Sequence, residues 1–361
     1  MTGTADAAST LDLPATRRAV ETCLDDFLGG KQLLAAEHGM PGEVVQTLRA
    51  FVRAGGKRMR PLLCVCGWLA GGGRGDWAAV VRTAASLELF HTFALIHDDV
   101  MDHSTTRRGK PTVHRALAAR HEAFRGREAA GGLGISAAVL VGDLALVWAD
   151  ELLHTAGLAP GRLAAVLPVL DAMRSEVMYG QYLDLLATGN PSEDIGLPLK
   201  VIRYKTARYT IERPMHIGVT LAGAGPAVLE ACTAFALPLG EAFQLRDDVL
   251  GVFGDPEQTG KPVLDDLRAG KHTVLIALAL QRANAGQAAI LRSLVGTPDL
   301  DESGAARVRD ILSATGARTE VERMIRDRRM QAQQSLGSAP FPAGVVEVLR
   351  QMAETATARI T

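Results

Sequence analysis

Aromatic residues are scarce in this chain: Phe, Tyr and Trp together make up 4% of 361 residues. A nucleic-acid-binding module needs rings for stacking and a positive field, and the formal net charge here is −1. Cysteine is also sparse. Cys23, Cys64, Cys66 and Cys232 are too few for a disulfide framework in a chain of this length. Cys64 and Cys66 are spaced C-x-C and lack the second ligand pair of a zinc site. They read as packing thiols, and a reducing cytoplasm is the expected setting. The N-terminal stretch MTGTADAASTLDLPATRR has no apolar core of a secretory leader. No run approaches the roughly 18 uncharged apolar residues of a membrane span. The most apolar segment, 135–153, is interrupted by Asp143 and Asp150 and reads as a buried helix, so no transmembrane segment is expected. Strand-like alternation is missing as well.

Hydrophobic residues, mostly Leu, Ala and Val, make up 47% of the chain and recur at i, i+3, i+4 and i+7. This periodicity predicts helices over 15–28, 43–54, 60–71, 77–102, 112–121, 133–156, 161–188, 197–222, 227–253, 272–283, 286–295, 304–314, 316–336 and 342–358. Gly or Pro punctuates the joints, among them Gly29-Gly30, Gly131-Gly132 and Gly254-Asp255-Pro256. The expected architecture is all-α, one domain over 13–361, with residues 1–12 disordered and 295–304 a surface loop.

Two acidic clusters stand out, Asp98-Asp99-Val100-Met101-Asp102 and Asp247-Asp248-Val249-Leu250-Gly251, about 150 residues apart and each ending an apolar helical stretch. On a helix Asp98 and Asp102 share one face. Carboxylates at a helix C-terminus oppose the macrodipole, and next to apolar surface they are costly unless paired or metal-bound. Each cluster is followed by cations: Arg107, Arg108 and Lys110 after the first, Lys261 and Lys271 after the second. Mg²⁺ takes oxygen ligands and shares one or two carboxylates with substrate phosphates, so this pairing points to diphosphate chemistry. The chain's other acidic pairs, Asp25-Asp26 and Asp265-Asp266, read as solvated surface.

Gly55-Gly56-Lys57-Arg58-Met59-Arg60-Pro61 reads as a charged turn with Pro61 at the first helical position, where backbone amides, Lys57 and Arg60 make an anion site. In Lys205-Thr206-Ala207-Arg208-Tyr209-Thr210, Lys205 and Tyr209, and Thr206 and Thr210, fall one turn apart. Gln181 and Asp184 share a face inside an apolar helix, as a core network or a cavity lining. His91 lies two turns before Asp98 on the same side.

The ordered series GGKRMRP, LFHTFALIHDDVMDHSTTRRGKPTVH, GD at 142–143, GQYLD, KTARYT and QLRDDVLGVFGDPEQTGKPVLDDLRAGKHT resembles the trans-isoprenyl diphosphate synthases (polyprenyl synthetases) from about 45 to 330. The resemblance implies an isoprenoid synthase fold of long helices around a central apolar cavity, acting as a homodimer. It implies head-to-tail condensation of isopentenyl diphosphate with an allylic diphosphate (dimethylallyl, geranyl or farnesyl) by ionisation, condensation and elimination. Asp98, Asp99 and Asp102 would hold two Mg²⁺ ions, and Asp247 and Asp248 a third, with Mn²⁺ as a substitute. Lys57, Arg60, His91 and Arg108 match the isopentenyl diphosphate site. Arg107, Lys205, Lys261 and Lys271 match contacts to the allylic diphosphate. Gln181 matches a residue near the second carboxylate group, while Thr206 and Gln244 match residues facing the carbocation. Gly251 stands where many members have a third aspartate, which implies an outer-shell contact missing and weaker Mg²⁺ affinity. Phe93 with Ala94, backed by Phe90 and without the two-residue insertion of typical bacterial farnesyl synthases, resembles the pocket floor of synthases making the C20 product, geranylgeranyl diphosphate. Farnesyl and longer products remain alternatives. A class I terpene cyclase would pair the first motif with an Asn/Asp-Ser/Thr-Glu triad, which is not found near 247. A non-catalytic subunit would tend to lose the first motif, which is whole.

Overall fold

The computed structural model describes residues 12–73, 75–254 and 264–357. The expected disorder of 1–12 falls on residues outside that range except Asp12, which is ordered: its carboxylate accepts from Ala15 N at 2.9 Å and caps the first helix. Helices α1 (Leu13–Glu37), α2 (Gly42–Arg53), α3 (Met59–Ala70), α4 (Trp77–Met101), α5 (Val113–Arg125), α6 (Arg127–His154) and α7 (Pro160–Ala187) form the first part of the chain. After α8 (Gly196–Val201) the helix widens into a π-helix, Ile202–Glu212, and narrows again as α9 (Arg213–Ala222). Then come α10 (Pro226–Phe253), α11 (Asp265–Ala269), α12 (Val274–Arg282), α13 (Ala285–Leu294), α14 (Glu302–Ala314), α15 (Ala317–Leu336) and α16 (Ala343–Thr357). Among the described residues the strands are a two-residue pair, Thr106–Arg107 (β1) against Lys110–Pro111 (β2), antiparallel. The fold is the all-α one that the periodicity predicts.

Side-chain caps set several boundaries. Asp76 caps α4 through Ala78 N, Thr273 caps α12 through Ile276 N, and Asn284 with Gln287 makes a reciprocal capping box on α13. Two glycine joints were expected and are not there: Gly29-Gly30 lies inside α1 and Gly131-Gly132 inside α6. A Cβ on any of these four would meet nothing, so they carry helix on the strength of their apolar neighbours. Pro61 is the third helical residue rather than the first, because α3 starts at Met59 behind Arg58 in a left-handed conformation (φ 52°).

The central element is α4, whose side chains from Ala79 to Ile96 are buried on nearly every side. It packs most extensively on α6. By length and composition both α4 and α6 could cross a membrane, but 78% of the apolar stretch of α4 is buried inside the protein. For α6 the figure is 33%, and Ile135, Val139, Leu140 and Val147 are exposed. The expectation of a buried helix over 135–153 is thereby corrected: one side rests on α4 and α5, the other faces outward. The π-helix is gripped between α7 and α10, whose Gly180 and Gly240 let their backbones touch Lys205 and Ala207. A Cβ at either glycine would overlap that backbone. This grip presents Lys205, Thr206, Tyr209 and Thr210 to a cavity in the bundle.

Candidate active site

A cavity of about 580 Å³ opens between α4, α7, the π-helix and α10. Its walls divide by chemistry. Lys57, Arg60, His91 and Arg108 line one part, Asp98, Arg107, Lys205, Gln244 and Asp247 another, and Phe93, Ala94, Leu95, Val177, Met178 and Leu185 the apolar remainder. A second cavity of about 190 Å³ holds Asp184, Asp248, Gly251, Asp266 and Lys271, and shares Lys205, Thr206, Gln244 and Asp247 with the first. Most residues singled out by sequence line these two cavities; Asp99 and Asp102 line neither and are tied to them through Arg107 and Lys271, Phe90 is 1% exposed beside Phe93, and Lys261 lies outside the described residues.

The first acidic cluster ends α4. Asp102 closes the helix, its N–H bonded to the Asp98 carbonyl at 2.8 Å. Asp99 is 1% exposed and turned into Arg107, whose Nε donates to both carboxylate oxygens at 2.7 and 2.9 Å. Arg107 also reaches Asp98 at 3.3 Å. It is aimed by the β1–β2 turn, whose tip Arg108-Gly109 has positive φ at both residues (54° and 71°), the geometry of a two-residue hairpin. Arg108 accepts that strained φ and packs against Gly56 of the Gly-Gly-Lys loop.

Lysines join the acidic groups. Lys205 Nζ lies 3.2 Å from Asp98 and 2.6 Å from Asp184. Lys271 Nζ lies 3.4 Å from Asp102 and 3.3 Å from Asp266. Burial alone would raise the Asp98 pKa, but Lys205, Lys271 and Arg107 outweigh it and bring the carboxyl to about 2. Asp266 chiefly holds Lys271 far above an ordinary amine, so it stays charged. In the second motif the balance is reversed. Burial first, then Asp266 and Asp247, push Asp248 up to about 7 despite a bond from Gln244. Gln244 is fixed from both ends, accepting from Thr206 Oγ1 at 2.7 Å and donating to Asp248 at 2.8 Å. Gln181 lines the larger cavity together with Asp247, and its amide lies 3.7 Å from Met101 Sδ at the end of α4.

Several contributors were not assigned from sequence. Arg58 and Glu88 form a buried pair at 2.6 Å, both side chains 4% exposed, and Arg58 also donates to the Val52 carbonyl. They anchor the loop that carries Lys57 and Arg60. Arg60 stacks on Tyr209 at 4.1 Å and bonds Thr210 at 2.6 Å, while His91 Nδ1 meets the Tyr209 hydroxyl at 3.1 Å. Burial and then Arg60, Arg108, Arg107 and Arg58 hold His91 far below an ordinary imidazole, so it is neutral. Asp265-Asp266, read as a solvated pair, is misassigned for Asp266, which faces Lys271 across the smaller cavity. Its cation stands five residues on, at Lys271, and both lie within the stretch that carries the family resemblance.

Comparison with known proteins agrees with this geometry. The polyprenyl synthetase family profile matches residues 42–312. A solved structure of geranylgeranyl pyrophosphate synthase from Corynebacterium glutamicum, complexed with isoprenyl diphosphate and magnesium, superposes with a TM-score of 0.93 at 42% identity, covering 97% of this chain and all of that one. The geranylfarnesyl diphosphate synthase of Aeropyrum pernix is 34% identical over 293 residues, 80% of this chain and 86% of its own length. The octaprenyl diphosphate synthase of Escherichia coli is 34% identical over 245 residues, 68% of each chain. The chain belongs to the polyprenyl synthetase family.

Proposed function

We propose that this chain is a Mg²⁺-dependent prenyltransferase that joins isopentenyl diphosphate to an allylic diphosphate and releases geranylgeranyl diphosphate. The observation that carries the reading is one cavity lined by two groups of cations, Lys57, Arg60 and Arg108 in one and Arg107 and Lys205 in the other, together with apolar side chains. Two diphosphates need two anion sites, and a cyclase with one substrate would need one.

The donor set suits Mg²⁺. Asp98, Asp99, Asp102, Asp247 and Asp248 offer hard oxygens, and Asp248 lies in an excess of negative charge that a divalent cation would neutralise. When bound, the metal would neutralise charge on the departing pyrophosphate. Arg107 and Lys205 would orient the allylic diphosphate, releasing their carboxylates to the metal. Lys57, Arg60 and Arg108 would hold the second diphosphate, with neutral His91 as a hydrogen-bonding partner. The allylic C–O bond breaks, the isopentenyl double bond attacks the resulting cation to form the new C–C bond, and a proton leaves the adjacent carbon for pyrophosphate. Thr206 and Gln244 would face the cation with their oxygens, and Phe93, Val177, Met178 and Leu185 would exclude water.

Phe93 with Ala94 below the first motif favours the C20 product, although relatives of equal identity are named for C25 and C40 products. The exposed apolar face of α6 supports a homodimer, for which light scattering should return twice the chain mass. Free thiols at all four cysteines suit a reducing compartment. Incubation with Mg²⁺, isopentenyl diphosphate and each allylic primer, followed by mass analysis, tests the activity. If no primer leads to consumption of isopentenyl diphosphate, the reading is wrong.

A further inference from the structure

We infer that Glu176 is a positioning residue: it locks the π-coil and so keeps Lys205 in reach of the allylic diphosphate when that ligand draws the lysine away from Asp184. The inference rests on the diphosphate-binding reading above and concerns residues outside the cavities, since Glu176, Arg208 and Arg213 line neither. On α7, Glu176, Gly180 and Asp184 follow at intervals of four and share one face. The π-helix meets all three. Asp184 holds Lys205 Nζ at 2.6 Å. Gly180 lets the backbone at 204–205 touch α7. Glu176, its side chain 16% exposed, accepts from Arg213 Nε at 2.8 Å and Nη2 at 2.6 Å, and also from Arg208 Nη1. Both arginines reach one carboxylate because of the coil between them. The Arg213 N–H bonds the Arg208 carbonyl five residues back, which is the turn of a π-helix. In an α-helix, side chains five residues apart stand about 140° apart around the axis. A carboxylate that grips both therefore favours the wide coil over the narrow one. From α10, Thr233 Oγ1 donates to the buried Glu212 of the same coil at 2.9 Å. Of the two acidic contacts that α7 makes, one is exchangeable and the other permanent: the ligand takes Lys205 from Asp184, while Arg208 and Arg213 stay on Glu176.

Glu176→Gln keeps the shape of the side chain and removes its charge. The full chain is assayed, with and without Lys205→Ala, for calorimetric binding of inorganic pyrophosphate with MgCl₂, for steady-state isopentenyl diphosphate consumption and for the urea midpoint. With Lys205 present, Glu176→Gln weakens pyrophosphate binding and lowers kcat by about tenfold each, while the KM for isopentenyl diphosphate stays within about twofold. With Lys205→Ala, the same substitution changes binding and kcat by less than about twofold, although it lowers the urea midpoint equally in both backgrounds. A purely structural role would lower the midpoint and leave pyrophosphate binding untouched, or its losses would multiply with those of Lys205→Ala. Either result overturns the inference. Should Glu176→Gln fail to fold, Arg208→Gln, which leaves the Glu176–Arg213 pair in place, decides by the same comparison: losses confined to the Lys205 background support the inference, and losses that multiply refute it. A parent that binds pyrophosphate but consumes no isopentenyl diphosphate overturns the synthase reading instead, and the binding comparison still decides the role of Glu176. A parent that binds no pyrophosphate overturns both.

Discussion

Replacing Phe93 by Ala should lengthen the product by one isoprene unit and then stop. Phe93 is 9% exposed on the cavity wall, five residues before Asp98 on α4. Against it packs the buried ring of Phe90, centroids 5.4 Å apart, which in turn meets Tyr209 of the cavity wall edge-on at 5.9 Å. On the other side His97 meets Phe93 edge-on at 4.7 Å. The three residues from 93 back to 90 rise about 4.5 Å along a helix, close to the length of one isoprene unit. Removing the first ring thus moves the floor back by one unit to the second. Phe93→Ala combined with Phe90→Leu should add a further, smaller population one unit longer, Leu being chosen because emptying a fully buried Phe site costs about 3–5 kcal/mol. Products are dephosphorylated and identified by mass with each primer in excess of isopentenyl diphosphate, and again with the ratio reversed. A product unchanged or shortened in Phe93→Ala would refute the reasoning. So would one that runs on by several units with Phe90 intact.

The same floor predicts that Ala94→Phe shortens the product to C15 or C10, read by the same mass analysis. Lys205→Ala leaves Asp98 and Asp184 without their shared ammonium, and kcat should fall about 100-fold or more while the KM for isopentenyl diphosphate changes little. Glu88→Ala removes the buried carboxylate of the Arg58 pair and leaves the guanidinium only half-exposed Glu21 as a carboxylate partner, at 3.4 Å. It should cost about 3–5 kcal/mol in chemical denaturation and raise the KM for isopentenyl diphosphate more than that for the primer. At Glu176, burial would raise the carboxyl pKa, but Arg213 and Arg208 outweigh it and hold it below its ordinary 4.5. A group depressed on folding stabilises above its unfolded pKa and loses that contribution as pH falls through the folded one. The stability gap between the parent and Glu176→Gln in urea should therefore be full at pH 7 and shrink below about pH 4.5; a gap that ignores pH would count against the Arg–Glu cluster.

The helices were legible because apolar periodicity and caps act over a few residues. The ends of α4, α7 and α10 fall within a residue of the expected 77–102, 161–188 and 227–253. The glycine pairs in α1 and α6 misled because a breaker signal says nothing about whether the apolar row continues past it. The π-helix was invisible for a related reason: Lys205/Tyr209 and Thr206/Thr210 keep similar faces whether the coil has four or five residues per hydrogen-bonded turn. In the site, the linear motifs announced their charges but not their pairings. Asp266 was dismissed beside Asp265 because an acidic pair alone does not reveal that one of its members turns inward to Lys271 and the smaller cavity. Likewise, neither Arg58 nor Glu88 has a neighbour in sequence that betrays the other.

With a metal ion and a diphosphate as ligands, the lysine bridges would make binding cooperative. A bare metal ion approaching Asp98 or Asp102 must displace Lys205 or Lys271, and a bare diphosphate must approach carboxylates already balanced by those ammonium groups. Arriving together, the metal would take the carboxylates and the anion the lysines, so that every charge would change partner and none be abandoned. Each ligand should accordingly tighten the other's binding by the same factor, and the resting protein stores its counter-ions as its own side chains.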